Sequence, residues 1–211
     1  MCDELIRTHK IDRLKAIFIS HTHHDHVMDA SYIANKCGAR IIGSESCKNV
    51  ALGGEVPEEK IEVFAHGSTY NIGDYKISIL KSLHSKPTIL NNDLGERITE
   101  QLKQPVGLRE YKEGGSYDFF IEHSDKKILI RPSFNYIKGQ LDDIDCDVLF
   151  LGVAGLAKAA QETEKTFFSE TVEKNRCKTC NSDPLGQFLF AAGSSDQKHA
   201  FLCGKHRESI L

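Results

Sequence analysis

A short apolar run, Ala16-Ile17-Phe18-Ile19, leads almost directly into His21-Thr22-His23-His24-Asp25-His26. The run is rich in β-branched and aromatic side chains, which predicts a buried strand. The potential metal ligands therefore sit on a loop leaving a strand end, where α/β proteins place their chemistry. Imidazole nitrogen and carboxylate oxygen are the donors that borderline metals such as zinc prefer. The plainer alternative is a solvated histidine-rich turn or an incidental metal-binding tract. The spacing and the strand ahead of it favour a built site.

His-x-His-x-Asp-His behind an apolar strand resembles the signature of the metallo-β-lactamase-fold hydrolases. The resemblance implies an αβ/βα sandwich. It also implies that His21 and His23 bind one metal and that Asp25 and His26 bind a second. His24 falls on the variable position of the motif and carries no such implication. Further stretches look like one branch of the superfamily, related to the ascorbate-phosphate lactonase type. They are Asp29-Ala30 with Tyr32-Ile33-Ala34, Gly114-Gly115-Ser116-Tyr117, Ile121-Glu122-His123, and the run from Asp147 to Leu156. The resemblance covers residues 13 to 174.

The chain has 211 residues, enough for one domain with a proper core and a small appendage. A net charge of −3 without a long basic run argues against nucleic acid or an anionic membrane as partner. No apolar stretch approaches membrane-spanning length, and Met1 opens no signal peptide. Seven cysteines without a secretion signal favour a reducing, cytoplasmic setting, with thiols free or on metal.

Only 15 residues precede Ala16. The resemblance implies further strands there, so the expectation is a truncated chain or an unusually small first sheet. Past the motif, Val27 to Cys37 is predicted helical and closed by Gly38. Ala39 to Gly43 reads as a strand, and Ser44 to Leu52 as a helix stopping at Gly53-Gly54. Strands follow over Lys60 to Ala65, Thr69 to Ile72 and Tyr75 to Leu83, with a turn at Gly73-Asp74. Ser85 to Gly114 is polar and without period, too long for an ordinary connection, and reads as a functional loop over the site. Arg109 and Tyr111 within it are expected to be solvated rather than to contact an anionic substrate. A hairpin spans Gly115 to Glu122 and Lys126 to Arg131; Asp147 to Leu151 is a buried strand and Lys158 to Lys174 a helix. Composition changes at Asn175, which sets domain limits of 1–174 and 175–211.

His84 ends a predicted strand. Spacing alone suits a surface histidine and a metal ligand equally; the resemblance makes it the third histidine of the first metal. Three imidazoles and an open water position are what a catalytic zinc needs. The family's bridging aspartate aligns with Ser133, a poorer ligand, and no histidine follows the last helix until His199. One core zinc is therefore expected, with a weak second. Asp25 is the candidate catalytic residue, orienting the attacking water. Ser20 and Thr22 read as plain strand-end residues rather than supports for the ligands, while Cys37, Cys47 and Cys146 read as small core residues.

In the tail, Cys177-x-x-Cys180 and Cys203-Gly204-Lys205-His206 are two donor pairs separated by 22 residues. Four soft donors so arranged fit a small structural zinc site, and an altered reading frame or fusion would make the pattern accidental. The expected fold class is α/β, a metallo-β-lactamase sandwich with an incomplete first sheet and a Cys/His-containing tail. The expected function is zinc-dependent hydrolysis of a small ester, lactone, amide or phosphoester. The rival is a catalytically incomplete remnant or metal-binding interaction module.

Overall fold

The computed structural model describes residues 2–9, 11–86, 92–153 and 161–173, with the short strand segments 179–180, 188–189, 193–194 and 197–198 beyond them. The fold is mixed α/β, and the described residues divide into two compact units. One comprises Met1–Ser68 and Lys86–Ser116; the other comprises Thr69–Ser85 and Tyr117–Leu211.

In the first unit, helix α1 (Cys2–His9) precedes a three-stranded sheet of β1 (Ala16–Phe18), β2 (Arg40–Gly43) and β3 (Ile61–Val63) in that order. Both pairings are parallel, with Phe18 opposite Ile42 and Ile42 opposite Glu62. Parallel neighbours need crossover connections, and the sequence supplies them as helices. Residues 24–37, read as one helix from Val27, form two: α2 (His24–Val27) and α3 (Ala30–Cys37). Gly38 closes α3 at φ 70°, the left-handed conformation in which a glycine meets no Cβ penalty. Helix α4 (Glu45–Gly53) starts at Ser44, whose side chain accepts the Cys47 N–H. That satisfies one of the donors every helix start leaves open. Central strand β2 is buried on both faces, with Ile41 and Ile42 at 1% and 0% exposure, so it reads as a continuous apolar run.

The core of this unit joins Ile19, Val27, Ala34, Ile41, Cys47 and Val50 to residues of the supposed loop. Ile98 and Tyr111 are buried there, and Leu102 and Val106 pack against them. Two helix side chains grip the same segment. Ser46 Oγ accepts the Ile98 N–H at 3.0 Å, and Asn49 Nδ2 donates to the Ile98 carbonyl at 2.7 Å. The 92–116 segment is thus an irregular but packed part of the unit. Arg109 is exposed as expected; Tyr111 is not, because its ring fills apolar space that no regular element covers.

In the second unit, β4 (Thr69–Ile72), β5 (Tyr75–Lys81), β6 (Tyr117–His123) and β7 (Lys126–Arg131) form antiparallel neighbours. β8 (Val148–Gly152) joins β7 in parallel. The short β9 (Thr179–Cys180) and β10 (Phe188–Leu189) both pair with β8. Beyond them, β11 (Gly193–Ser194) pairs with β12 (Gln197–Lys198). Helix α5 (Gln161–Phe168) runs into a π-helical turn over Ser169–Glu173. Its Phe167 is buried with Leu129, Leu149 and Leu151. Each such side chain contributes roughly 1.5–3 kcal/mol when removed from water. Cys47 and Cys146 are buried as expected, while Cys37 is only half-buried. Burial pushes the Cys47 thiol up to about 12, so it is a packing residue and not a nucleophile. No helix among the described residues is long and apolar enough to cross a membrane.

Candidate functional site

Strand β1 delivers the histidine motif. Ile19 N–H still bonds to the Ile42 carbonyl at 2.9 Å, and the chain turns away from the sheet immediately afterwards. His23 is extended, with φ −61° and ψ 150°, and the helical turn α2 starts after it. His26 N–H bonds back to the His23 carbonyl at 2.9 Å, and Met28 N–H to that of His24 at 3.0 Å. Folding the motif into one turn gathers its rings. The centroid of His21 lies 5.1 Å from that of His23, edge-on, and 3.9 Å from that of His26. His21 and His23 are 2% and 5% exposed. Asp25 stands at the rim with its side chain 52% exposed, 3.6 Å from His26 Nε2.

Two residues read as plain strand-end polar groups have specific work. Ser20 is buried, with its hydroxyl 3.1 Å from His21 Nδ1. Thr22 is fully buried and donates its hydroxyl to the Lys112 and Glu113 carbonyls, while its N–H bonds to the Glu113 carbonyl at 2.8 Å. Thr22 therefore staples the 92–116 segment to the histidine turn. Gly114 permits the close approach. It has φ 69°, and an added Cβ would stand 2.4 Å from Thr22 Oγ1 and 2.6 Å from Ser46 Cβ. This is the physical content of the Gly114-Gly115 pair.

The same segment brings two carboxylates that sequence reasoning missed. Asp93 places Oδ2 3.1 Å and Oδ1 3.2 Å from His23 Nε2. Glu113 is buried and accepts the Gly95 N–H at 2.6 Å and the Ser116 hydroxyl at 2.8 Å. Acidic residues in a polar stretch read as solvated. The signal that they are not is the set of apolar residues around them, Ile98, Leu102, Val106 and Tyr111, which bury the segment.

The second unit carries His84, just past the end of β5. Its carbonyl accepts a hydrogen bond from Asn135 Nδ2 at 2.7 Å, and its Nδ1 lies 3.3 Å from Ser85 Oγ. Asn135 is held in turn, its own carbonyl accepting from Arg131 at 2.8 Å. Arg131 is fully buried, also donating to Asp118 at 2.8 Å and Thr171 at 2.9 Å. Burial pushes the Asp118 carboxyl up from its ordinary range, and the Arg131 guanidinium pulls it back. Ser133 is buried near the end of β7. Within the first unit, His21 and His23 each offer one ring nitrogen that could bind a metal ion, while His84, the predicted third donor, belongs to the second unit. Of the predicted tail ligands, Cys177, Cys203 and His206 lie outside the described residues, and for Cys180 only the backbone of β9 is described.

Residues 7–99 match the model of the metallo-beta-lactamase superfamily. A "UPF0173 metal-dependent hydrolase" of Chloroflexus aurantiacus is 27% identical over 118 residues, which are 54% of this chain and 48% of that protein. The match thus spans about half the length of the relative. Two solved structures are also among the matches. The metallo-beta-lactamase fold protein YhfI from Bacillus subtilis aligns at a TM-score of 0.45 and 16% identity, over 70% of this chain and 53% of YhfI. MEM-A1, a subclass B3 metallo-beta-lactamase from a soil metagenome library, aligns at a TM-score of 0.47 and 15% identity, over 81% of this chain and 78% of that one.

Proposed function

We propose that this chain, whose residues 7–99 match the model of the metallo-beta-lactamase superfamily, is a zinc-dependent hydrolase acting on a small ester, lactone, amide or phosphoester in the cytoplasm. The observation that carries the reading is the pair of buried imidazoles, His21 and His23, each with one ring nitrogen against an oriented polar side chain. Buried histidines held in this way match the chemistry of a metal's inner ligands, whose rings are fixed by partners behind them. His84 supplies the third imidazole, and a bound zinc ion contributes Lewis acidity, bringing the pKa of water towards about 7. Asp25 accepts a hydrogen bond from the attacking water and orients it. His26, 3.6 Å away, restrains the Asp25 carboxylate and is the remaining donor for a weaker second ion. A separate structural zinc on Cys177, Cys180, Cys203 and His206 belongs to the same proposal and is supported by their spacing.

Ser133 favours a second reading. A neutral, buried hydroxyl stands where the family places an aspartate, which suits a protein that binds metal without turning over a substrate. A panel of generic esters, lactones, amides and phosphodiesters separates the two. Hydrolysis that disappears on chelation and returns with zinc supports the enzyme. Metal uptake with no hydrolysis of any panel member supports the binding module.

A further inference from the structure

Asp93 is not a group that merely happens to lie near His23. Its carboxylate is aimed by the backbone at the far end of the 92–116 segment. Asp93 Oδ2 accepts the Glu113 N–H at 2.8 Å while facing His23 Nε2. Glu113 returns the clasp, its carboxylate taking the Gly95 N–H, and Gly114 N–H bonds to the Glu96 carbonyl at 2.9 Å. Residues 93–96 and 113–116 are thereby locked to each other, and Thr22, the residue beside His23, ties the lock to the histidine turn. The Asp93 side chain is only 14% exposed and that of His23 only 6%, so water screens their interaction little.

A carboxylate accepts hydrogen bonds and cannot donate one when ionised. Placed against Nε2, it holds the ring proton on that nitrogen. A neutral imidazole then has its lone pair on Nδ1. We infer that Asp93 is the positioning residue that fixes His23 with its proton on Nε2 and with Nδ1 as the metal-binding atom. This rests on the metal reading of His23 given above. It assigns the long segment between β5 and β6 a definite task, which is to supply the partner that orients a ligand. Carboxylate partners of this kind are worth about 10–100-fold in metal affinity.

The test uses the full chain loaded with zinc. Nitrogen-15 NMR of the imidazoles reads the tautomer of His23 in the unmodified protein, and competition with a chromophoric chelator reads zinc affinity. The expected results are a His23 ring protonated at Nε2 and, for Asp93→Asn, about 10–100-fold weaker zinc binding with the thermal melt retained. A His23 protonated at Nδ1 in the parent overturns the inference without recourse to any variant. So does an Asp93→Asn protein that folds and binds zinc as tightly as the parent. A parent that takes up no zinc removes the metal reading itself, and this inference with it.

Discussion

Asp25→Asn is expected to lower hydrolysis by about 10²–10⁴-fold, the usual worth of a positioned acid–base group. At about 1.36 kcal/mol per tenfold, that is roughly 3–5 kcal/mol of barrier. The substitution keeps the shape of the side chain and removes its charge. It leaves the helical turn His24–Val27 intact, since the bonds that close it are made by backbone. Asp25 is half-exposed at the rim of the histidine cluster, so its loss should cost little stability. The core metal should stay bound, because the three imidazoles remain. Steady-state rates on the best substrate of the panel, measured with metal content on the same samples, check this. An unchanged rate would show that Asp25 does not orient the water.

Arg131→Met is expected to destabilise the fold by about 3–5 kcal/mol, the cost of leaving a buried partner charge uncompensated. Arg131 is 0% exposed and donates to three groups: the Asp118 carboxylate, the Thr171 hydroxyl and the Asn135 carbonyl. Methionine fills much of the volume and satisfies none of them. Asp118 is itself fully buried, so it loses its counter-charge where water cannot replace it. Urea denaturation followed by circular dichroism gives the difference. The double variant Arg131→Met, Asp118→Leu should recover most of it, since a buried ion pair can often be exchanged for apolar residues at little net cost. A single variant within about 1 kcal/mol of the parent would mean that the pair contributes little.

The parts legible in the sequence are those set by local chemistry. Ala16 to Ile19 announces a strand by composition, Ser44 a helix start, Gly38 a helix end, and His123-Ser124-Asp125 a hairpin turn. The structure has each of them. Single-residue detail was less legible. The predicted strand Tyr75 to Leu83 ends at Lys81, because Asn135 and Gln140 take up the His84 and Lys81 carbonyls from outside the sheet. What could not be read was set by partners far along the chain. Asp93 and Glu113 look like solvated loop acids until the fold buries Ile98 and Tyr111 beside them. Arg131 looks like the polar end of a strand, since arginine is almost never fully buried without a partner, and its partners lie 13 and 40 positions away. At the candidate site the histidines were legible because they form a spaced motif. The groups hydrogen-bonded to them were not, because a hydrogen bond constrains geometry and leaves spacing open.

The central proposal is that His21 and His23 hold a metal ion, with His84 as the third donor that the resemblance implies. Zinc content after dialysis against a competing chelator, for the parent and for His21→Ala side by side, tests it most directly. Loss of one of three imidazoles leaves too few protein donors for tight binding. The account predicts that the parent retains its core ion and that His21→Ala retains none there, with both chains folded by circular dichroism. A folded His21→Ala protein with the same core zinc content as the parent would contradict it.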